Sequence, residues 1–179
     1  MYKKKIISLI GLMGAGKTTI GNKLAKKLNY YFVDSDREIE DQERMSISSI
    51  FANYGEEYFR KVENNIIFDI INRDEELILS VGGGAFLNVD TRNLLKQKSI
   101  VIWLHTSIEE TLKRVGNKTN RPLLNTNNKR EVLENLAKSR YKIYQECDLD
   151  FDTTKIDYEI FLNDIVNKIK ILNEKQNNN

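Results

Sequence analysis

Short apolar runs recur along the chain at "IISLI" (6–10), "YYFVD" (30–34), "LILSV" (77–81), "SIVIWLH" (99–105) and, more weakly, "LDFDT" (149–153). Runs of this length without polar alternation suit strands covered on both faces, as in a parallel sheet. Helical patterns fill the intervals. After Gly16, the residues Ile20, Leu24 and Leu28 recur every four positions and make one apolar stripe. Ser107 stands three residues before Glu110, the spacing of a capping box, at the start of "SIEETLKRV". Strands alternating with helices predict an α/β fold of three layers, α/β/α, around a five-stranded parallel sheet.

One stretch breaks the pattern. "GNKTNRPLLNTNNKR" (116–130) is polar, rich in asparagine, and holds the only proline. Inside a compact domain a loop this long is either functional or a surface insertion. Carrying Arg121 and Arg130 opposite a phosphate site, it would serve as a mobile lid. The remainder reads as a single domain over 1–173, with a polar tail at 174–179 that is expected to fray.

Composition narrows the partners. The 28 basic and 26 acidic residues of this 179-residue chain leave a net charge of +2, so no broad nucleic-acid footprint is expected. Neither a leader peptide nor a membrane-length apolar run is evident, which predicts a cytoplasmic protein. Cys147 stands alone, which excludes a disulfide framework, and His105 is the only imidazole that could activate it. Nothing in the pattern demands an oligomer, and a monomer is expected.

The first apolar run leads into "GLMGAGKTT". Gly11, Gly14, Gly16, Lys17 and Thr18 satisfy G-x-x-x-x-G-K-[ST] between a strand and a helix, the arrangement of a phosphate-binding loop. Backbone N–H groups and the helix N-terminus would cradle the phosphates of a nucleoside triphosphate along Gly14, Ala15, Gly16, Lys17, Thr18 and Thr19. Lys17 would reach the outer phosphates, and the Thr18 hydroxyl would ligate Mg²⁺. A regulatory GTPase is disfavoured. "NKTN" at 117–120 lacks the aspartate of a guanine reader, and no glycine has an aspartate three residues before it.

Further clusters favour transfer to a small acceptor. In "VDSD", Asp34 and Asp36 follow the second strand, where open α/β sheets place ligands. In extended chain both carboxylates would face one cleft, one toward Mg²⁺ through water and one as proton acceptor; helix capping is the alternative use. In "GEEYFRKVE" a helix starts with Arg60 and Glu63 one turn apart. As a surface pair this is worth only about 0.2–0.5 kcal/mol; as a supported guanidinium, Arg60 would grip an anionic substrate. The three glycines Gly82, Gly83 and Gly84 would leave backbone N–H groups bare for a ligand, or simply make a tight turn. Arg114, Arg121 and Arg140 bring more positive charge than three phosphates need, so the acceptor is expected to be an anion itself.

These elements in this order resemble the shikimate kinases, of the nucleoside-monophosphate-kinase-like P-loop fold, over roughly residues 5–170. The carriers are "GLMGAGKTT", "DSD", "GEEYFR" with Glu63, "GGG", "RPLL" and "FDT". The resemblance implies transfer of the γ-phosphate of ATP to the 3-hydroxyl of shikimate, in aromatic amino-acid (chorismate) biosynthesis. It implies Lys17, Asp36 and Arg121 as catalytic residues, and Thr18 and Asp34 on a Mg²⁺ ion. Arg114 and Arg121 would contact ATP; Asp36, Arg60, Gly82, Gly83, Gly84 and Arg140 would contact shikimate over an apolar wall of Ile47, Phe51 and Phe59. One departure is "RYKIY" (140–144), where the family often reads R-x-P-L-Y. Alternatives on the same fold are a gluconate or nucleoside monophosphate kinase, or an ATP-binding regulatory module without transfer activity.

Overall fold

The computed structural model describes residues 4–115 and 128–177. Five strands, β1 (Ile6–Ile10), β2 (Tyr31–Asp34), β3 (Leu77–Ser80), β4 (Ser99–His105) and β5 (Leu149–Asp152), pair in parallel in the order β2-β3-β1-β4-β5. Every apolar run of the sequence is therefore a strand. Alternation decides what each face covers. In β1, Ile6 and Ile10 join one core while Ile7 and Leu9 join the other; in β4, Val101 and Trp103 oppose Ile100, Ile102 and Leu104.

The helices α1 (Lys17–Leu28) and α7 (Tyr158–Asn177) cover one face. On the other face lie α2 (Ser35–Glu43), α3 (Ile47–Ile71), α4 (Val89–Lys98) and α6 (Lys129–Tyr144), while α5 (Ile108–Val115) adjoins α6. This is the expected three-layer arrangement. Within α1, Ile20 and Leu24 are fully buried and Leu28 partly so. The helix α7 continues through Asn177, into the segment expected to fray; Glu174, Lys175 and Gln176 are all good helix formers. Among the described residues no helix is long and apolar enough to cross a membrane.

One local feature departs from the sequence expectation. Ser107 Oγ accepts from the Glu110 N–H (3.2 Å), but the box does not close. The Ser107 N–H goes to Thr154 Oγ1 instead, and the Glu110 carboxylate turns to Arg114. The helix expected to begin at "GEEYFRKVE" does begin there: Gly55, with φ of 81° and ψ of 174°, breaks the helical path, so α3 is two helices meeting at a kink.

Because the strands run in parallel, β1, β2 and β3 all end at the same edge, with Asp34 and Leu9 each opposite Ser80. The turns that follow them must share that edge. Gly11 fixes the approach of the first turn to β4: at its φ of +141°, an added Cβ would sit 2.2 Å from the Leu104 carbonyl oxygen. Neither atom belongs to a flexible side chain. Gly11→Ala is therefore expected to destabilise the protein by about 2–5 kcal/mol through backbone strain and overpacking, seen as a lower midpoint in urea denaturation.

Candidate active site

Two cavities open at this edge, and Met13 and Lys17 line both. One, of about 350 Å³, lies over the phosphate-binding loop and is lined by Gly14, Gly16, Lys17, Thr18 and Thr19 with Arg114 and Tyr158. Its lining carries cations and no carboxylate, which suits a polyphosphate. Ala15 is buried behind it. Lys17 Nζ donates to the Gly11 and Leu12 carbonyls at 2.8 and 3.2 Å, which holds the ammonium at the boundary between the cavities.

The loop is latched from outside. Arg114 donates Nη1 to Gly14 O (3.2 Å) and Thr153 Oγ1 (3.1 Å), and Nη2 to Thr153 O (2.5 Å). Thr153 Oγ1 also lies 2.9 Å from Ala15 O and 3.1 Å from His105 O. Arg114 thus ties the loop to the end of β5 with its guanidinium edge while lining the nucleotide cavity. Thr153 was legible only as the last letter of "FDT"; its role as a buried hub depends on non-local packing.

The second cavity measures about 390 Å³. Ile47, Phe51 and Phe59, the expected apolar wall, line it together with Met13. Opposite them run Gly82, Gly83 and Gly84, and each is crowded by a different side chain. A Cβ at Gly82 would meet Glu63 Oε1 at 2.6 Å and Asp36 Oδ1 at 2.7 Å. At Gly84 it would strike the Arg60 guanidinium at 2.6 Å, and at Gly83 it would press Arg140 Nη1 at 3.3 Å. The glycines are there for space. From the sequence their N–H groups are expected bare, but that of Gly82 donates to Ser35 Oγ (3.2 Å).

The two aspartates divide their tasks. Asp34 Oδ1 accepts from the Asp36 N–H (3.2 Å) and so caps α2, while its Oδ2 accepts from Thr18 Oγ1 (2.9 Å). Capping and the contact to Thr18 thus share one carboxylate. The shared strand face predicted for the pair is not formed, because β2 ends at Asp34 and Asp36 already lies in the first turn of α2. From there Asp36 enters the second cavity.

Arg60 projects from α3 with Nη1 on Glu63 Oε2 (2.6 Å) and Nη2 on Glu56 Oε1 (3.0 Å). This is no surface pair, since Glu63 is only 1% exposed. Burial pushes the Glu63 carboxyl above its ordinary pKa, and the attraction of Arg60 only partly offsets that. Its other oxygen, Oε1, has no hydrogen-bond partner among the described residues and faces Gly82. The sequence held a signal here: Phe59, Val62, Ile66, Ile67 and Ile70 form the buried stripe of α3, and Glu63 occupies a position in it. Glu56 and Met13 carried no such mark.

Arg140 sits on the inward face of α6, only 8% exposed, and donates Nη1 to Gly83 O at 2.9 Å. Despite the missing proline, α6 runs unbroken through Arg140 to Tyr144. Arg130 departs from its expected place in the lid: it belongs to α6 and pairs with Glu109 (2.9 Å). Arg121 and nearly all of the expected lid lie outside the described residues. Cys147 and His105 form no reactive pair. His105 Nε2 lies 3.4 Å from Asp150, and burial pushes the Cys147 thiol up to about 11.

The shikimate kinase family profile matches residues 13–170. The chain is 40% identical over 163 residues to the shikimate kinase of Rhizobium meliloti (strain 1021), covering 91% of this chain and 84% of that one. A shikimate kinase from Acinetobacter baumannii, solved in complex with shikimate, superposes with a TM-score of 0.88 at 37% identity, covering 95% and 94% of the two chains. The shikimate kinase of Aquifex aeolicus gives 0.79 at 32% identity, with 92% and 96% covered.

The raised Glu63 carboxyl makes a pH-dependent contribution. A group that holds its proton more tightly when folded stabilises the fold fully below its ordinary pKa of 4.5 and loses that contribution as pH rises through the raised value. Glu63→Gln lacks this titration. Urea denaturation from about pH 4 to about pH 7 should show wild type losing stability relative to Glu63→Gln as pH rises. A difference independent of pH would mean that Glu63 titrates normally.

Proposed function

The chain belongs to the shikimate kinase family and transfers phosphate from ATP to shikimate, and we propose that the two cavities divide the substrates between them. ATP lies over the phosphate-binding loop. Shikimate lies along the glycine strip, its carboxylate toward Arg60 and Arg140 and its hydroxyls toward Asp36. The observation that carries this reading is the convergence of Arg60 on Gly84 and Arg140 on Gly83, from two different helices, beside Asp36 at Gly82. A guanidinium pair matches a carboxylate, the anionic group that shikimate carries. The apolar wall of Ile47, Phe51 and Phe59 suits the ring carbons.

Asp36 orients the 3-hydroxyl, or takes its proton, as that oxygen attacks the γ-phosphorus in line and the bond to the β-phosphate oxygen breaks. Lys17, lining both cavities, neutralises charge on the phosphoryl group in transit. Thr18 and Asp34 would hold a Mg²⁺ ion. Their oxygens are joined at 2.9 Å, and the described residues contain no cluster of three or more acidic, His or Cys ligands. That donor set fits a cation which takes its remaining ligands from phosphate and water. When bound, the ion supplies charge neutralisation at the phosphates. Arg121 completes the set by stabilising the transition-state charge. The pathway role is aromatic amino-acid biosynthesis, and the working unit is a cytoplasmic monomer.

The direct experiment is ADP release from Mg·ATP with shikimate, gluconate, CMP or AMP. Stimulation by shikimate alone is expected; ATP binding without any stimulation would leave a regulatory module instead. Asp36→Asn should bind ATP normally and lose transfer, measured by calorimetry and coupled assay. Arg121→Ala should lower kcat by on the order of 10³, and near-normal turnover would remove that arginine from the mechanism. Gly84→Ala should push the Arg60 guanidinium aside and raise KM for shikimate by on the order of tenfold, the loss of roughly one charge-assisted hydrogen bond.

A further inference from the structure

We propose that Tyr144 is a positioning residue for shikimate binding, acting through the Gly83 carbonyl on Arg140. The inference rests on the reading above, in which Arg140 holds the substrate carboxylate. Tyr144 lies one turn after Arg140 on the inward face of α6, and its side chain is fully buried. Phe86, Trp103 and Tyr141 surround its ring, with centroids at 6.4, 6.0 and 6.4 Å. In this aromatic packing a phenylalanine would fill nearly the same space.

What distinguishes Tyr144 is the target of its hydroxyl. It donates to Gly83 O, the same oxygen that accepts from Arg140 Nη1. A carbonyl oxygen has two lone pairs, and here one goes to each donor. Gly83 has no side chain, so no side-chain packing of its own fixes the direction in which this carbonyl points. The Tyr144 hydroxyl fixes it from inside the core, and the carbonyl then fixes the buried guanidinium on the cavity side. The same short segment continues into Gly84, against which Arg60 lies. One phenol therefore sets the backbone on which both arginines rest. Tyr144 touches no reacting atom, and its effect should appear in acceptor binding alone. Burial also raises its pKa to about 12, so the hydroxyl remains a donor throughout the working range.

The test is steady-state kinetics of Tyr144→Phe. The expected result is a KM for shikimate raised about five- to tenfold, the size of one lost neutral hydrogen bond, with KM for ATP and kcat within about twofold of wild type. Replacement by 4-fluorophenylalanine keeps the volume and removes the donor, and should give the same split even if the Phe variant packs poorly. The penalty should shrink to less than about twofold in an Arg140→Lys background, where the fork is already lost, and likewise with the methyl ester of shikimate as acceptor. Unchanged KM in both Tyr144 variants, or equal rises in both KM values, would overturn the positioning role. If Arg140→Lys alone leaves KM for shikimate unchanged, the carboxylate reading fails first, and the two failures are thus told apart.

Discussion

Three consecutive positions without a Cβ, at the end of β3, set the geometry of everything around them. Asp36 and Glu63 crowd Gly82, Arg140 rests on Gly83, and Arg60 lies across Gly84. These four charged side chains come from α2, α3 and α6, and the missing Cβ atoms let them close on one backbone segment. Such a concentration of buried charge is costly unless each group is paired. Arg60 meets this condition with two carboxylates, and Arg140 with a carbonyl. Glu63 meets it on one oxygen only.

The parallel sheet supplies the second constraint. Because β1, β2 and β3 end together, the phosphate-binding loop, Asp34 and the glycine strip must be neighbours, and Lys17 must lie between the two cavities. The loop itself is held by Arg114 and Thr153, which connect it to the ends of β4 and β5. Chemistry in such a site depends on positioning and fixed charge rather than on a reactive side chain.

Much of this was legible in the sequence, for identifiable reasons. The strands β1, β3 and β4, buried along nearly their whole length, leave uninterrupted apolar runs, while the more exposed β2 and β5 leave weaker ones. Glycines at fixed spacing mark the phosphate loop because few other residues permit that backbone, and the lysine and threonine that follow are marked by their side-chain chemistry. Pairing across the fold left no comparable trace. The Ser35 hydroxyl on Gly82, the Thr153 hub and the Tyr144 hydroxyl on Gly83 join residues tens of positions apart, and none has a local signature. Asp34 and Asp36 had two readings, a shared strand face or helix capping, and nothing local chose between them; Asp34 is the cap that ends the strand. The half-formed capping box at Ser107 has the same origin: Arg114 and Thr154 compete for its partners from outside the motif.

The central claim is a single direct transfer of the phosphoryl group across the boundary marked by Lys17, with the acceptor hydroxyl in one cavity and the donor in the other. Stereochemistry at phosphorus tests it most directly. With ATP made chiral at the γ-phosphate by oxygen isotopes, the account predicts shikimate 3-phosphate of inverted configuration, as one in-line displacement requires. Retention would demand a phosphorylated enzyme intermediate, and would contradict an active site in which the residues position and neutralise but form no covalent bond.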